Sequence, residues 1–340
     1  MPSLCARSSC SKLLVDSQPD PIALLVISIA LSTLLPNTLC VAAEVRAFED
    51  CMVKAAKGDR FSQCQLGDFY AAGHGVVADQ GVATKWYRQA AEQGLPLAQH
   101  KLGNRYAFGH GVSKDLVESA VWHRKAAEQG FDWSQYHLAN CYLNGEGVKK
   151  DADEALRWFR AAAEQGDSVY QYQLAVSLHQ GPLAYRDGKQ DMPEVLKWYR
   201  AAAVQGEIDA LRALSHLYGQ GGDVEKDDAE ALKWLRMAAG WGDESSQGLL
   251  GDRYATGTGV AKDEVEAFAY YRLASVYPSS PTLKNLSAGK KLAAMDSTMS
   301  SDTRERGVRR ADVLKSEIAA RLKARETERD ARNATKLSGR

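Results

Sequence analysis

An all-α fold, a solenoid of paired helices, follows from three series in the sequence. Tryptophan or tyrosine recurs at Trp86, Trp122, Trp158, Trp198, Trp234 and Tyr270, in steps of 36 residues with a single step of 40. Glycine recurs in steps of the same two sizes at Gly58, Gly94, Gly130, Gly166, Gly206 and Gly242, and leucine at Leu66, Leu102, Leu138, Leu174, Leu214 and Leu250. Three series sharing one phase mark a repeat array, in which each unit buries its apolar face against the next. The interval from leucine to aromatic is 20 residues except between Leu174 and Trp198, where it is 24, so the fourth repeat carries four extra residues.

Each repeat reads as two helices. The first places a tyrosine four residues after the leucine, at Tyr70, Tyr106, Tyr142, Tyr218 and Tyr254, which puts both on one helix face. It ends in a glycine corner such as Gly73-His74-Gly75-Val76 or Gly109-His110-Gly111-Val112, where positive φ is cheapest for glycine. An aspartate then recurs at Asp79, Asp115, Asp151, Asp191, Asp227 and Asp263, suited to cap the second helix. That helix carries the aromatic, then a pair of alanines that let the next helix approach, then the closing glycine. Phe48 to Gly58 lies in phase with these second helices, so residues 44–61 are expected to cap the N-terminal end. Val308, Ala311, Leu314, Ile318 and Leu322 form a helical stripe suited to close the last repeat, within a capping region 281–323. Beyond it apolar residues nearly cease, and residues 324–340 read as a solvated, frayed tail.

The full pattern, Leu-Gly-x-x-Tyr, then Gly-x-Gly-Val, Asp, Trp and Ala-Ala-x-x-Gly, resembles the Sel1-like repeat, a relative of the tetratricopeptide repeat. The resemblance spans six repeats over residues 62–280 and implies a right-handed superhelical α/α solenoid. The fourth departs from it, with Gln180-Gly181-Pro182-Leu183 in place of the glycine corner. The resemblance implies a non-catalytic scaffold or adaptor that organises envelope complexes, regulates a membrane receptor or contacts a host.

Residues 1–43 read as a signal peptide. Arg7 and Lys12 precede an uncharged run from Ile22 to Leu35, and the small residues Val41-Ala42-Ala43 stand before Glu44. The run is shorter than the ~20 residues of a membrane span. Cleavage near Ala43 and export to a bacterial periplasm or beyond is the expectation. An uncleaved inner-membrane anchor and a cytosolic adaptor are the alternatives.

The chain has 340 residues, 45% of them hydrophobic and 25% charged, with 43 basic and 43 acidic side chains. That balance argues against a dedicated nucleic-acid binder. Six cysteines are too few for a disulfide-dense mini-domain. Neutrality conceals a division: residues 302–340 hold 12 basic and 7 acidic side chains, which leaves the repeat body acidic.

Candidate chemistry is sparse. Cys51 and Cys64 flank the turn at Gly58 at heights that would level them, so a disulfide is expected in an exported chain, against two reduced core cysteines. His74 and His110 share a corner position but lack a third ligand and read as solvated loop residues. Ser287-Ala288-Gly289-Lys290 matches the Ser-x-x-Lys pattern of penicillin-recognising enzymes without its companion motifs. A penicillin-binding or β-lactamase-like activity therefore stands only as an alternative, and no catalytic residue, cofactor or metal is expected. Binding features are stronger, because a helical-pair solenoid offers a groove lined by its first helices. Trp241 replaces the glutamine of Gln93, Gln129, Gln165 and Gln205, and the fourth-repeat insertion brings Tyr185, Arg186 and Met192. These four residues are the candidate contacts for a protein or peptide partner of a monomeric chain.

Overall fold

Six helical pairs, with one helix before them and two after, account for the residues that the computed structural model describes: 38–184, 190–276 and 286–337. Helix α1 is Thr38–Ala56. The pairs are α2 (Arg60–Ala72) with α3 (Gln80–Glu92), α4 (Pro96–Phe108) with α5 (Leu116–Glu128), α6 (Asp132–Asn144) with α7 (Ala152–Glu164), α8 (Ser168–His179) with α9 (Met192–Val204), α10 (Ile208–Gln220) with α11 (Asp228–Gly240), and α12 (Glu244–Thr256) with α13 (Glu264–Val276). Helices α14 (Leu286–Thr298) and α15 (Ser301–Leu337) follow. Among the described residues there is no strand, and no helix is long and apolar enough to cross a membrane. The chain divides into two units, Met1–Trp158 and Phe159–Arg340.

In the first unit, side chains and backbone set each helix boundary as the pattern requires. The Asp79 carboxylate accepts from the Val82 amide at 2.9 Å, and Asp115 accepts from Val117 and Glu118 at 2.9 and 3.0 Å. These bonds satisfy donors that a helix N-terminus leaves orphaned. The aspartate also fixes the corner through its own amide, which donates to the carbonyl of the motif tyrosine: Asp79 to Tyr70, Asp115 to Tyr106 and Asp151 to Tyr142, each at 2.9 Å. Tyrosine and aspartate are thereby locked nine residues apart, whatever the loop between them contains. The tyrosine hydroxyl serves the preceding second helix, accepting from Arg88 at Tyr106 and from Arg124 at Tyr142.

In the first unit the second glycine of each corner has a different task from the first. A Cβ on Gly111 would meet the Gln80 carbonyl oxygen at 2.0 Å, and one on Gly147 would meet that of Leu116 at 1.9 Å. Both have φ near +70°. The corner of one repeat therefore rests, backbone on backbone, on the first residue of the preceding second helix. Gly75 makes the same approach to Glu44, with 2.9 Å left for a Cβ. Glu44 thus stands where a repeat-length second helix would begin, although α1 itself starts earlier, at Thr38.

The second unit keeps the aspartate caps and, with one exception, the tyrosine-to-aspartate bonds, but not the backbone contact: a Cβ on Gly222 would meet nothing within 4 Å, and one on Gly259 only the Arg253 guanidinium at 3.2 Å. Asp191, Asp227 and Asp263 cap α9, α11 and α13. Helix α8 ends at His179 without a left-handed glycine, its cap Gln180 lying at φ −128°. The tyrosine-to-aspartate bond is replaced here: the Gln190 side-chain amide donates to the Leu178 carbonyl at 3.3 Å and to that of His179 at 2.5 Å. Leu183 and Ala184 are buried, so the insertion tucks into the fold at its start.

At the C-terminal end, α14 buries Ala288 against Ala267, Tyr271 and Ala274 of α13. Helix α15 buries Ala311 and Leu314 against Ala269 and Leu273 of the same helix, with Ile318 half-buried beside them. The predicted stripe thus closes the last repeat, but it ends at Ile318, since Leu322 is 44% exposed. The frayed tail expected from residue 324 is instead a continuation of α15 to Leu337. Hydrogen bonds from Arg321 and Arg325 to backbone carbonyls hold it where apolar burial does not.

Two glycine substitutions separate conformational strain from close approach. Gly94 has φ +82° and open space around its Cβ position, so Gly94→Ala should cost about 1–2 kcal/mol, the left-handed penalty alone. Gly111→Ala adds a collision with backbone and should cost about 3 kcal/mol or more. Chemical denaturation of both variants checks the order, which equal losses would contradict.

Candidate functional site

Once caps, corners and alanine pairs are committed to the fold, the exposed positions of the first helices remain for recognition. In the second unit, α8, α10 and α12 line a groove of about 630 Å3. Its walls carry Tyr172 and His179 from α8, Asp209, Arg212 and His216 from α10, and Ser245, Leu249 and Arg253 from α12. Leu249 is 54% exposed and gives the groove an apolar handle. Arg212 faces Asp209 at 3.5 Å, an exposed pair that a ligand's own charge can rearrange at little cost. His179 is held, with Tyr199 at 3.3 Å on one ring nitrogen and Asp223 at 3.3 Å on the other.

A second recess of about 310 Å3 shares Ser245 and Leu249 with this groove and reaches the start of α14. Tyr271 donates to Asp252 at 2.7 Å, and Lys291 donates to the same carboxylate oxygen at 2.6 Å. Burial and the adjacent Asp252 carboxylate push the Tyr271 hydroxyl well above its ordinary value, so it serves as a donor and not as a base. Ser287 lines this recess, yet it and Lys290 are both exposed, and the lysine engaged with Asp252 is Lys291. A nucleophile activated by a neighbouring lysine needs a desolvated, fixed pair, and Ser287 with Lys290 does not provide one.

The other sequence-predicted residues take structural places. Trp122, Trp198 and Trp234 are buried, while Trp86 and Trp158 are half-buried. A cation covers four of these rings, from Lys125 at 3.8 Å over Trp122 to Lys233 at 5.0 Å over Trp234. Gly94, Gly130, Gly166, Gly206 and Gly242 all adopt the left-handed conformation that closes the second helices. Met192 is the half-buried first residue of α9, and Tyr185 and Arg186 lie outside the described residues, as do residues 1–37 of the expected signal peptide.

Trp241 is not a free handle. Its indole lies across Gly206, where a Cβ would come within 2.4 Å of the ring, and Arg321 and Arg325 of α15 stand over it at 5.5 and 5.6 Å.

The Cys51–Cys64 disulfide expected from the turn geometry is not formed, and both residues are buried free thiols. The Cys51 Sγ is turned to the Ser62 carbonyl at 3.1 Å and packs with Ala55 and Leu66, whereas Cys64 packs with Tyr87 and Leu102 in a separate cluster. Burial pushes the Cys64 thiol up to about 12 and that of Cys141 up to about 11. His74 and His110 are exposed corner residues.

Sequence reading missed a cluster of three imidazoles in the first unit. His100 of α4, His123 of α5 and His137 of α6 lie with ring centroids 5.0–5.4 Å apart. The Ser134 hydroxyl lies 3.0 Å from His100 Nδ1 and 3.4 Å from His123 Nδ1, and Asn104 reaches His100 Nε2 at 3.0 Å. Burial, then His137 and Lys101, draws His100 down to about 3, and burial, then its two histidine neighbours, draws His123 down to about 2. Burial lowers His137 as well. His123 and His137 stack face to face with 13° between their planes, an arrangement that does not aim lone pairs at a shared ion. Among the described residues no group of histidine, cysteine or carboxylate side chains could hold a metal.

The comparisons agree with this architecture. The Sel1 repeat family matches six times, over residues 61–95, 96–131, 134–167, 168–207, 208–240 and 245–275. The chain belongs to the Sel1-repeat family. It is similar to a protective antigen of uropathogenic Escherichia coli strains that displays an SLR fold, with 30% identity and a TM-score of 0.56 over 84% of this chain and 59% of that one. It is also similar to a Sel1 repeat protein from Oxalobacter formigenes, with 36% identity and a TM-score of 0.51 over 65% of this chain and 89% of that one. The chain thus spans less than two thirds of the first of these relatives. No match to it is found among curated proteins. Sel1-repeat proteins generally mediate protein–protein interaction.

The histidine cluster predicts a direction of pH dependence. Each ring has a folded value below its unfolded one, near 6.5, so its stabilisation is present above that pH and is lost as pH falls through it. Between pH 7.5 and 5, His100 and His123 should each remove about 2 kcal/mol from the first unit. His123→Phe, the residue that Phe159 supplies at the same register, should reduce this dependence by about 2 kcal/mol and leave the part due to His100. Denaturation curves across that range provide the measurement. The thiols yield a second expectation: Cys64 should resist alkylation in the native protein and react fully once unfolded.

Proposed function

We propose that this Sel1-repeat protein is a non-catalytic scaffold that holds a partner segment in the groove of α8, α10 and α12. The observation that supports this most is the composition of the groove. Separable polar groups (Asp209, Arg212, His216, Arg253) surround one exposed apolar handle, Leu249, which suits a peptide with an apolar side chain flanked by charge. Its width, open to solvent across three first helices, also favours a chain segment over a small enclosed molecule.

Export to the bacterial envelope belongs to the same proposal. Cleavage after Ala43 would leave 44–56 as the first helix, equal in length to the repeat helices that follow. It would start at Glu44, the residue against which the corner glycine Gly75 packs. The first new residue would then be the first one the fold uses.

A photo-crosslinking side chain at position 249 of the full chain, activated in native cells, tests the groove. Arg212→Glu should abolish the crosslinked product, whereas Val117→Glu, at an exposed position of α5 outside the groove, should leave it unchanged. Equal loss in both variants would count against the groove. Incubation of the mature chain with a labelled β-lactam should give no covalent adduct, and an adduct lost in Ser287→Ala would replace the scaffold reading with the enzymatic one. N-terminal sequencing of the native protein should begin at Glu44.

A further inference from the structure

The second half of α15 is a helix with little apolar reason to be one. Its stripe stops at Ile318, and from Arg321 onward almost every residue whose burial is described is exposed, Arg325 excepted. A helix polar on all sides is marginal by itself. What holds it is a row of arginines standing on the ends of second helices. Arg321 donates to the Gly240 carbonyl at 2.5 Å, at the C-terminus of α11. Arg325 donates to the Gly206 carbonyl at 2.7 Å, just past α9, and lies 3.4 Å from the Glu207 carboxylate. Arg332 reaches the Gln205 side-chain oxygen at 3.1 Å. The first two guanidiniums both stand over the Trp241 ring, at 5.5 and 5.6 Å.

Every acceptor in this row favours a cation. Helix C-termini carry the negative end of the backbone dipole, an indole face attracts guanidinium, and Glu207 is anionic. The sequence also explains the position of the row. Elsewhere a glutamine at the end of the second helix donates to a buried glutamine of the preceding first helix, as Gln129 does to Gln99 at 2.7 Å and Gln205 to Gln171 at 2.8 Å. In the fifth repeat both partners are replaced: Leu211 takes the buried place and Trp241 the terminal one. The internal amide link is absent there, and an aromatic face takes its place.

We propose that Trp241, Glu207 and the Gly206 and Gly240 carbonyls form a docking site for an arginine-bearing helix with guanidiniums one turn apart, and that residues 321–332 are its occupant in cis, displaceable by a partner helix of the same chemistry. The contacts are charge-assisted hydrogen bonds and ring stacking without apolar anchoring, which makes the occupant exchangeable and sensitive to salt. The site shares no residue with the groove of α8, α10 and α12, so it stands or falls separately from the proposed function.

The test uses the full chain carrying Arg321→Gln, Arg325→Gln and Arg332→Gln together, at positions beyond the apolar stripe that packs on α13. Amide hydrogen exchange over residues 321–332 should be slow in the wild type and at least about tenfold faster in the variant. A labelled peptide of residues 318–337 should bind the variant, whose own arm has left the site, about tenfold more tightly than it binds the wild type. Adding Trp241→Ala to the variant should weaken the peptide about fivefold, as loss of a cation–π contact requires. Exchange that is equally fast in both chains would overturn the proposal. So would equal binding of the native peptide and of its triple-glutamine counterpart to the variant.

Discussion

A second helix in this protein ends on carbonyls that point toward the next repeat, and a buried glutamine from the following first helix donates to one of them. Gln63 reaches Ala55, Gln99 reaches Ala91 and Gln135 reaches Ala127, and in the second unit Gln171 reaches Ala163 and Gln247 reaches Ala239, all at 3.2–3.3 Å. The same side chains then accept from the glutamine that ends their own repeat, Gln63 from Gln93 at 2.6 Å and Gln99 from Gln129 at 2.7 Å. Gln63, Gln99 and Gln171 thus each join two helix ends, with donor and acceptor both used. A buried network of this kind is stabilising only while every member is satisfied. Where present, it ties the end of one second helix to the next first helix; in the fifth repeat Leu211 stands in its place.

With helix ends tied by amides in most repeats, and corners seated on backbone in the first unit, the remaining positions carry the differences between repeats. One register position of the first helix holds Cys64, His100, Tyr136, Tyr172, Arg212 and Gly248 in turn. In the first unit that position contributes a thiol and an imidazole to the core, and in the second it supplies Tyr172 and Arg212 to the groove. The scaffold is uniform so that one face can be heterogeneous. This is the arrangement expected of a surface that selects a partner by side chains and not by shape alone.

Much of this was legible in the sequence, because caps, corners and closing glycines depend on residues within one or two turns of each other. The aspartate caps, the left-handed glycines and the capping stripe through Ile318 all follow from local spacing. Relations between residues about 30 apart were not legible. The glutamine series ending in Gln205 was visible, but its partners Gln63, Gln99 and Gln171 belong to other helices and share no motif with it. The histidine cluster draws one ring from each of three helices, so no spacing reveals it. The tail was misread because its partners are backbone carbonyls, which have no letter in a sequence. A disulfide was expected from helix levels alone, yet level side chains can still face different cores, as Cys51 and Cys64 do.

The repeat helices from α2 to α13 are thirteen residues long, save the twelve-residue α8. An α-helix turns about 100° per residue, so one residue gained inside such a rod would swing its aromatic, its alanines and its closing glycine away from their partners together. Rod length is in this sense a frozen character, and the corner is where the gene can grow. The four extra residues of the fourth repeat lie there, between His179 and Met192, where Gln190 replaces the missing corner bond with a side-chain amide. A lineage of such proteins would record its history of insertions in its corners while its rods kept a single length.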